Sequence, residues 1–256
     1  MKKFTMKRAL TLVMALCMIV SAFAAFGCVN ASADSHFVHL YYQDTYGSKY
    51  GCTGRYIYVQ TDGNAYNQQV TVHYACANAK GWFDEDAEYV TTLSDGSKIW
   101  KANVRHYDGS EYAAEYAIKY VADGATYWDN NNGNNYYGPE TSLGTAPIKV
   151  VRPDYYYSFG TTIYVNLQNY AYNKNVFIRY TNDNWNSYTD VPMSYDSTRD
   201  DGTEYWKGTV QVTSSDSFKY CVCYQVNGQE YWANNFGKNY SSYFTFHPYV
   251  YFVDYD

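Results

Sequence analysis

Tyr127-Trp128-Asp129-Asn130-Asn131-Asn132-Gly133-Asn134-Asn135-Tyr136 returns 104 residues later as Tyr231-Trp232-Ala233-Asn234-Asn235-Phe236-Gly237-Lys238-Asn239-Tyr240. Other pairs keep nearly the same offset. Ile57-Tyr58-Val59 matches Ile163-Tyr164-Val165, Ala65-Tyr66-Asn67 matches Ala171-Tyr172-Asn173, and Trp100-Lys101 matches Trp206-Lys207. Between them Val70-Thr71-Val72-His73-Tyr74 aligns with Val176-Phe177-Ile178-Arg179-Tyr180, and Trp82 falls near the place of Trp185. A period of about a hundred residues is longer than the roughly 20 to 50 of solenoid repeats. Each copy is large enough to hold its own core, so the chain reads as one domain duplicated.

Strand signals fill both copies. Arg55 to Gln60, Gln69 to Tyr74, Glu115 to Val121, Thr161 to Asn166, Asn175 to Tyr180 and Phe218 to Val226 are rich in Val, Ile, Tyr and Phe and are bounded by Gly, Asn and Asp. Short strands at that spacing predict an all-β chain, with a sandwich of two antiparallel sheets in each copy. The Asn-rich phrases then fall in loops, where Asn and Gly accept the backbone angles that turns need. A polar segment with Gly and Pro, Thr141 to Pro147, divides the copies. The expected organisation is a leader over residues 1–33, a first module over 34–146 and a second over 147–256. Phe244 to Tyr255, aromatic and β-branched, is expected to add a closing strand.

The leader reading rests on Lys2, Lys3, Lys7 and Arg8, an apolar stretch from Ala9 to Phe26, and Ala31-Ser32-Ala33 before Asp34, the layout of an export signal. A retained membrane helix fits less well, because small residues interrupt the stretch and no later apolar run could span. Phe26-Gly27-Cys28 loosely resembles a lipoprotein processing site, although Phe26 fits that pattern poorly. Export places the mature chain outside the cell. Losing the leader's four basic residues leaves 15 of the 19 Lys and Arg against 25 acids. Such a surface repels phosphate backbones, which excludes nucleic acid as a partner.

Cys221 and Cys223 are two apart on an expected strand and have no counterparts in the first copy. Cys52 and Cys76 end predicted strands within the first copy, where a bridge and free thiols both remain open. The five His are scattered, so no zinc spacing exists and neither metal nor other cofactor is expected.

Aromatic residues make up 20% of the chain, with 34 Tyr, more than two small cores require. A sugar ring stacks its C–H face on an aromatic face and leaves its hydroxyls around the edge. An Asn amide both donates and accepts, so it can bridge adjacent hydroxyls. The repeated phrase supplies both parts: Trp128 with Asn130, Asn131 and Asn135, and Trp232 with Asn234, Asn235 and Asn239. Turn formation alone is the competing account of these Asn. Trp82 and Trp185 lie in polar surroundings and read as further exposed plates. Trp100 and Trp206 open strands and are expected in the cores.

The second copy, with Ala171-Tyr172-Asn173-Lys174-Asn175-Val176, then Arg179-Tyr180-Thr181-Asn182-Asp183-Asn184-Trp185, then Val226 to Asn235, resembles carbohydrate-binding module family 21; the first resembles it more loosely. That family includes starch-binding domains of fungal glucoamylases and glycogen-targeting phosphatase subunits. The resemblance implies immunoglobulin-like sandwiches binding α-1,4-glucan (starch, glycogen, maltooligosaccharides) at two sites per module. The first site would use Trp185 and Trp232, or Trp82 and Trp128, with the Asn runs. The second would use Tyr172 or Tyr66, with Tyr195 and Tyr89 as weaker candidates. A strand aromatic of some members is replaced by Cys221 and Ala117. An exported glucan binder could also associate with secreted amylases.

Two other classes compete. A glycoside hydrolase needs two positioned carboxyls. The acids Asp84, Glu85, Asp86, Asp200, Asp201 and Glu204 read instead as solvated loop charge that does not recur between copies. An adaptor would use the aromatic surface to hold a protein.

Overall fold

The computed structural model describes residues 36–47, 53–76, 81–104, 113–137, 143–156, 160–213 and 217–241. The expected leader, Cys28, Cys52 and the expected closing strand lie outside these residues, and the described residues form one unit.

Every described element is a strand or a turn. The first half contains β1 (Val38–Gly47), β2 (Thr53–Thr61), β3 (Gln68–Cys76), β4 (Trp82–Asp86), β5 (Glu88–Thr92), β6 (Lys98–Val104), β7 (Ala113–Ala122), β8 (Ala125–Asp129) and β9 (Tyr136–Tyr137). The second contains β10 (Ile148–Tyr156), β11 (Gly160–Leu167), β12 (Lys174–Thr181), β13 (Thr189–Pro192), β14 (Ser194–Thr198), β15 (Glu204–Val210), β16 (Lys219–Val226), β17 (Gln229–Ala233) and β18 (Tyr240–Ser241). One sheet of the first half runs β1-β2-β6-β5 and the other β4-β3-β7-β8, with β9 on β7. The second half repeats this order: β10-β11-β15-β14, and β13-β12-β16-β17 with β18 on β16. All pairings are antiparallel.

Alternation along the strands makes each pair of sheets a sandwich. Leu40, Ile57, Val59 and Ala102 of one sheet meet Val70, Val72, Ile118 and Tyr120 of the other. In the second half Val150, Ile163 and Val165 meet Val176, Ile178, Val222 and Tyr224. Part of the aromatic excess is therefore structural. Tyr116, Tyr120, Tyr220 and Tyr224 are fully buried; the phenols of three of them donate to Gln43 Oε1 (Tyr116, 2.7 Å), Asp62 Oδ2 (Tyr120, 3.0 Å) and the Gln168 carbonyl (Tyr224, 2.8 Å). Trp100 and Trp206 pack on the two cores while staying partly exposed, and their indoles donate to Thr61 and Glu204.

Segment 143–146 is not slack. Leu143 bridges Tyr42, and the Thr145 and Ala146 amides donate to the Leu40 and Tyr41 carbonyls. A Cβ on Gly144 would sit 1.9 Å from the Leu40 oxygen, so only glycine allows this approach. The halves also meet side chain to side chain. Lys149 is buried and donates to the Gln43 carbonyl and to Asp44 Oδ1 at 3.0 Å. Phe236 lies against Tyr42 and Tyr58, with ring centroids 6.3 and 5.5 Å away.

Candidate functional site

Each Asn phrase leaves the end of a strand, β8 or β17, as a tight turn. The Asn135 amide donates back to the Asn130 carbonyl at 2.7 Å, and Asn239 does the same to Asn234 at 2.7 Å. To turn so sharply, Asn131, Asn132 and Asn135 adopt positive φ, as do Asn235, Phe236 and Asn239. Asn tolerates that region better than other side chains do. The side chains help. Asn130 Oδ1 accepts the Gly133 amide at 3.0 Å and Asn234 Oδ1 accepts that of Gly237 at 3.0 Å. Asn131 Nδ2 and Asn235 Nδ2 donate to the carbonyls of Asn135 and Asn239.

The turn thus uses only one end of each amide. The turn uses the oxygen of Asn130 and Asn234 and the nitrogen of Asn131 and Asn235. The opposite ends, a donor on the first and an acceptor on the second, form an adjacent donor and acceptor pair suited to two hydroxyls. Asn135 is spent further, its Nδ2 bonding Glu115 Oε1. Asp129 is an anchor for the turn, accepting from the Leu40 amide and the Tyr136 hydroxyl, which Ala233 cannot copy.

The plates stand on the outer face of the sheet that carries each phrase. In the first half His73 lies between two of them: it stacks on Trp82 at 4.7 Å and 9°, and meets Trp128 edge-on at 6.1 Å and 78°. Asp84 holds the imidazole from the side at 2.6 Å. Arg179 occupies the corresponding register in the second half, since His73 pairs with Ala117 and Arg179 with Cys221. Its guanidinium lies 5.3 Å from the Trp232 ring and 4.3 Å from that of Tyr188, and a bidentate pair with Asp190 fixes it. Trp128 and Trp232 remain 50% and 36% exposed. Cys221 and Cys223 lie buried on this face, and loss of water pushes their thiols up to about 11 and 12.

Trp185 differs from the expected exposed plate. It sits in the 183–187 turn at a φ of 71°, is half-buried, and its indole nitrogen is buried with no hydrogen-bond partner. Asp183 builds that turn, accepting from the Thr181 hydroxyl and from the Ser187 amide and hydroxyl; these bonds hold its carboxyl down at about 2. Tyr188 is the aromatic of this run whose ring lies against Arg179, which also contacts Trp232. Tyr188 is 58% exposed and was missed in the sequence. The signal was its place three residues after Trp185 in the same polar run.

The other expected site is a turn tip. Tyr66 is 95% and Tyr172 96% exposed, after Ala65, which anchors in the core, and Ala171, which packs against it. Tyr89 and Tyr195 are exposed on β5 and β14, each meeting the neighbouring Trp edge-on and sharing a 2.8 Å hydroxyl contact with Thr92 or Thr198.

Of the acids expected in loops, Asp200 and Asp201 lie in the turn between β14 and β15, whereas the other four lie on strands. Asp84 and Asp86 lie on β4, bonded to His73 and Thr71. Glu204 is buried on β15, where Lys174 (2.8 Å) and the Trp206 indole neutralise its desolvation. Among the described residues no group of His, Cys, Asp and Glu is placed to hold a metal, and no helix is long and apolar enough to cross a membrane.

A cleft adjoins each phrase. That of the first half, about 460 Å³, is walled by Val38 to Leu40, the phrase and Gly144 with Thr145. That of the second is about 250 Å³ and runs along Trp232 to Gly237.

Residues 159–242 match the model of the carbohydrate/starch-binding module, family 21. Protein phosphatase 1 regulatory subunit 3B of Rattus norvegicus is 40% identical over 82 residues, which is 30% of this chain and 29% of that protein. Glycogen-binding subunit 76A of Drosophila melanogaster is 34% identical over 80 residues, 30% of this chain and 12% of that protein. The match thus spans less than a third of these relatives. Among solved structures, the starch binding domain of Rhizopus oryzae glucoamylase in complex with β-cyclodextrin and maltoheptaose is 26% identical, covering 40% of this chain and 91% of that one, with a TM-score of 0.32.

Proposed function

We propose that the chain is a non-catalytic binder of α-1,4-linked glucan, starch or glycogen, that both halves take part as immunoglobulin-like modules, and that it acts outside the cell after loss of its leader. The observation that carries the reading is the near-complete exposure of Tyr66 and Tyr172 at the same turn of each half. A large phenol projected into water twice, without packing, serves contacts that the fold does not make. Trp128 and Trp232 beside the half-used Asn amides supply a second plate and its hydrogen bonds. The glucan linkage is taken from the family 21 match over residues 159–242.

Affinity electrophoresis of the intact chain in gels containing glycogen, soluble starch or hydroxyethyl cellulose tests this. Retardation by the two α-glucans alone is expected, and it should fall when Tyr66, Trp128, Tyr172 and Trp232 are changed together to Ala. Equal migration in all gels would overturn the proposal, and release of reducing sugar from starch would overturn its non-catalytic part.

A further inference from the structure

The two clefts occupy equivalent places but are not walled alike. In the first half every lining residue belongs to that half or to the segment just after it. In the second, Trp232, Asn234 and Asn235 face Tyr41 and the stretch Thr91 to Ser94, which belong to the first half. The two walls are held at a fixed separation. Phe236, at the position of Asn132, is stacked on Tyr42 and Tyr58 of β1 and β2, and the buried Lys149 to Asp44 pair locks the strands behind it.

The lining does not look like a packing fault. An interface void that merely failed to fill would be apolar, whereas this one is edged by the Thr91 and Ser94 hydroxyls, the Trp232 ring and the Asn234 and Asn235 amides. Lys149 also lines it, but its charge is answered by Asp44, so the cleft has no unbalanced ion to attract a charged ligand. At about 250 Å³ it is slightly below the roughly 300 Å³ where ordinary small-molecule sites begin. That is room for a short stretch of a chain whose remainder lies outside.

We propose that the sugar site at Trp232 is composite: a glucosyl unit stacked on Trp232 continues into the cleft between the halves, where Thr91 and Ser94 of the first half hydrogen-bond its hydroxyls. This rests on the glucan reading above and adds a subsite to it. The first half is then a specificity element of the second, as well as a copy of it.

The test uses the full chain with Tyr66, Trp128 and Tyr172 changed to Ala, so that the Trp232 site is the one that remains. Maltoheptaose is titrated by calorimetry. Ser94→Arg, which fills the cleft from an exposed position, should weaken binding at least tenfold, and Ser94→Ala and Thr91→Val each about two- to fivefold. Thr126→Arg, exposed on β8 away from the cleft, should change nothing. Melting curves accompany each variant; if Ser94→Arg disturbs the fold, the two hydroxyl deletions decide. Unchanged affinity in Ser94→Arg and both deletions, with binding still lost in Trp232→Ala, overturns the composite site and leaves the glucan reading standing. Absence of maltoheptaose binding in the unmodified chain removes both.

Discussion

Asn234 carries two duties on one amide, and the two can be separated. Asn234→Asp keeps the oxygen that accepts the Gly237 amide but removes the outward N–H donor. It is therefore expected to melt with the unmodified chain and to bind maltoheptaose about tenfold more weakly. Asn234→Ala loses the turn bond as well and should cost a further 0.5 to 1.5 kcal/mol or so of stability. Thermal melts beside calorimetric titrations check both; an Asn234→Asp variant with full affinity would mean that the Asn runs serve the turn alone. The sequence names these Asn but cannot divide them, because the division depends on which backbone amide each oxygen happens to meet.

At the scale of one turn, the 183–187 segment depends on a single partly exposed carboxylate. Asp183 is held at about 2, below the ordinary 3.8, so the folded chain resists its protonation more than the unfolded chain does. Its contribution is fully present above the ordinary value and is lost as the pH falls through about 2. Trp185 sits on this turn, so indole fluorescence of a chain with its other five Trp changed to Phe should shift between about pH 4 and 2. In Asp183→Asn the shift should vanish and the turn should be loosened at every pH. A shift that persists in that variant would assign the change to another group. The run Thr181-Asn182-Asp183-Asn184 is legible as a turn, yet the half-burial of Trp185 follows from its left-handed φ, which residue type does not announce.

For the whole molecule, the contact between halves decides whether two sites act as one. Lys149 is buried with Asp44 as its partner, and removing one member of a buried pair typically costs about 3 to 5 kcal/mol. Asp44 is partly exposed, which places Lys149→Ala toward the lower end of that range. Calorimetric unfolding of Lys149→Ala should resolve two transitions where the unmodified chain shows one, and a single unshifted transition would count against the interface. With the halves held together, a granule surface is met by sites in fixed geometry. The unmodified chain should then bind starch granules about 10² to 10⁴ times more tightly than variants lacking both plates of one half, Tyr66 with Trp128 or Tyr172 with Trp232, while short maltooligosaccharides show no such gap. Equal granule affinities would mean that the repeated sites do not share one surface.

Period-two alternation and a 104-residue echo were enough for the strands and the two-sheet halves, while Tyr66 and Tyr172 were singled out by the family resemblance alone. Fold class follows because burying alternate residues of β-branched and aromatic runs allows few other solutions. Contacts between residues far apart in sequence are another matter. Placing Tyr188 and Trp232 against Arg179, burying Glu204 beside Lys174, and bringing Thr91 and Ser94 into one cleft with Trp232 all depend on how strands are ordered and how the halves dock. Those outcomes come from packing and desolvation summed over both halves, and no single segment encodes them.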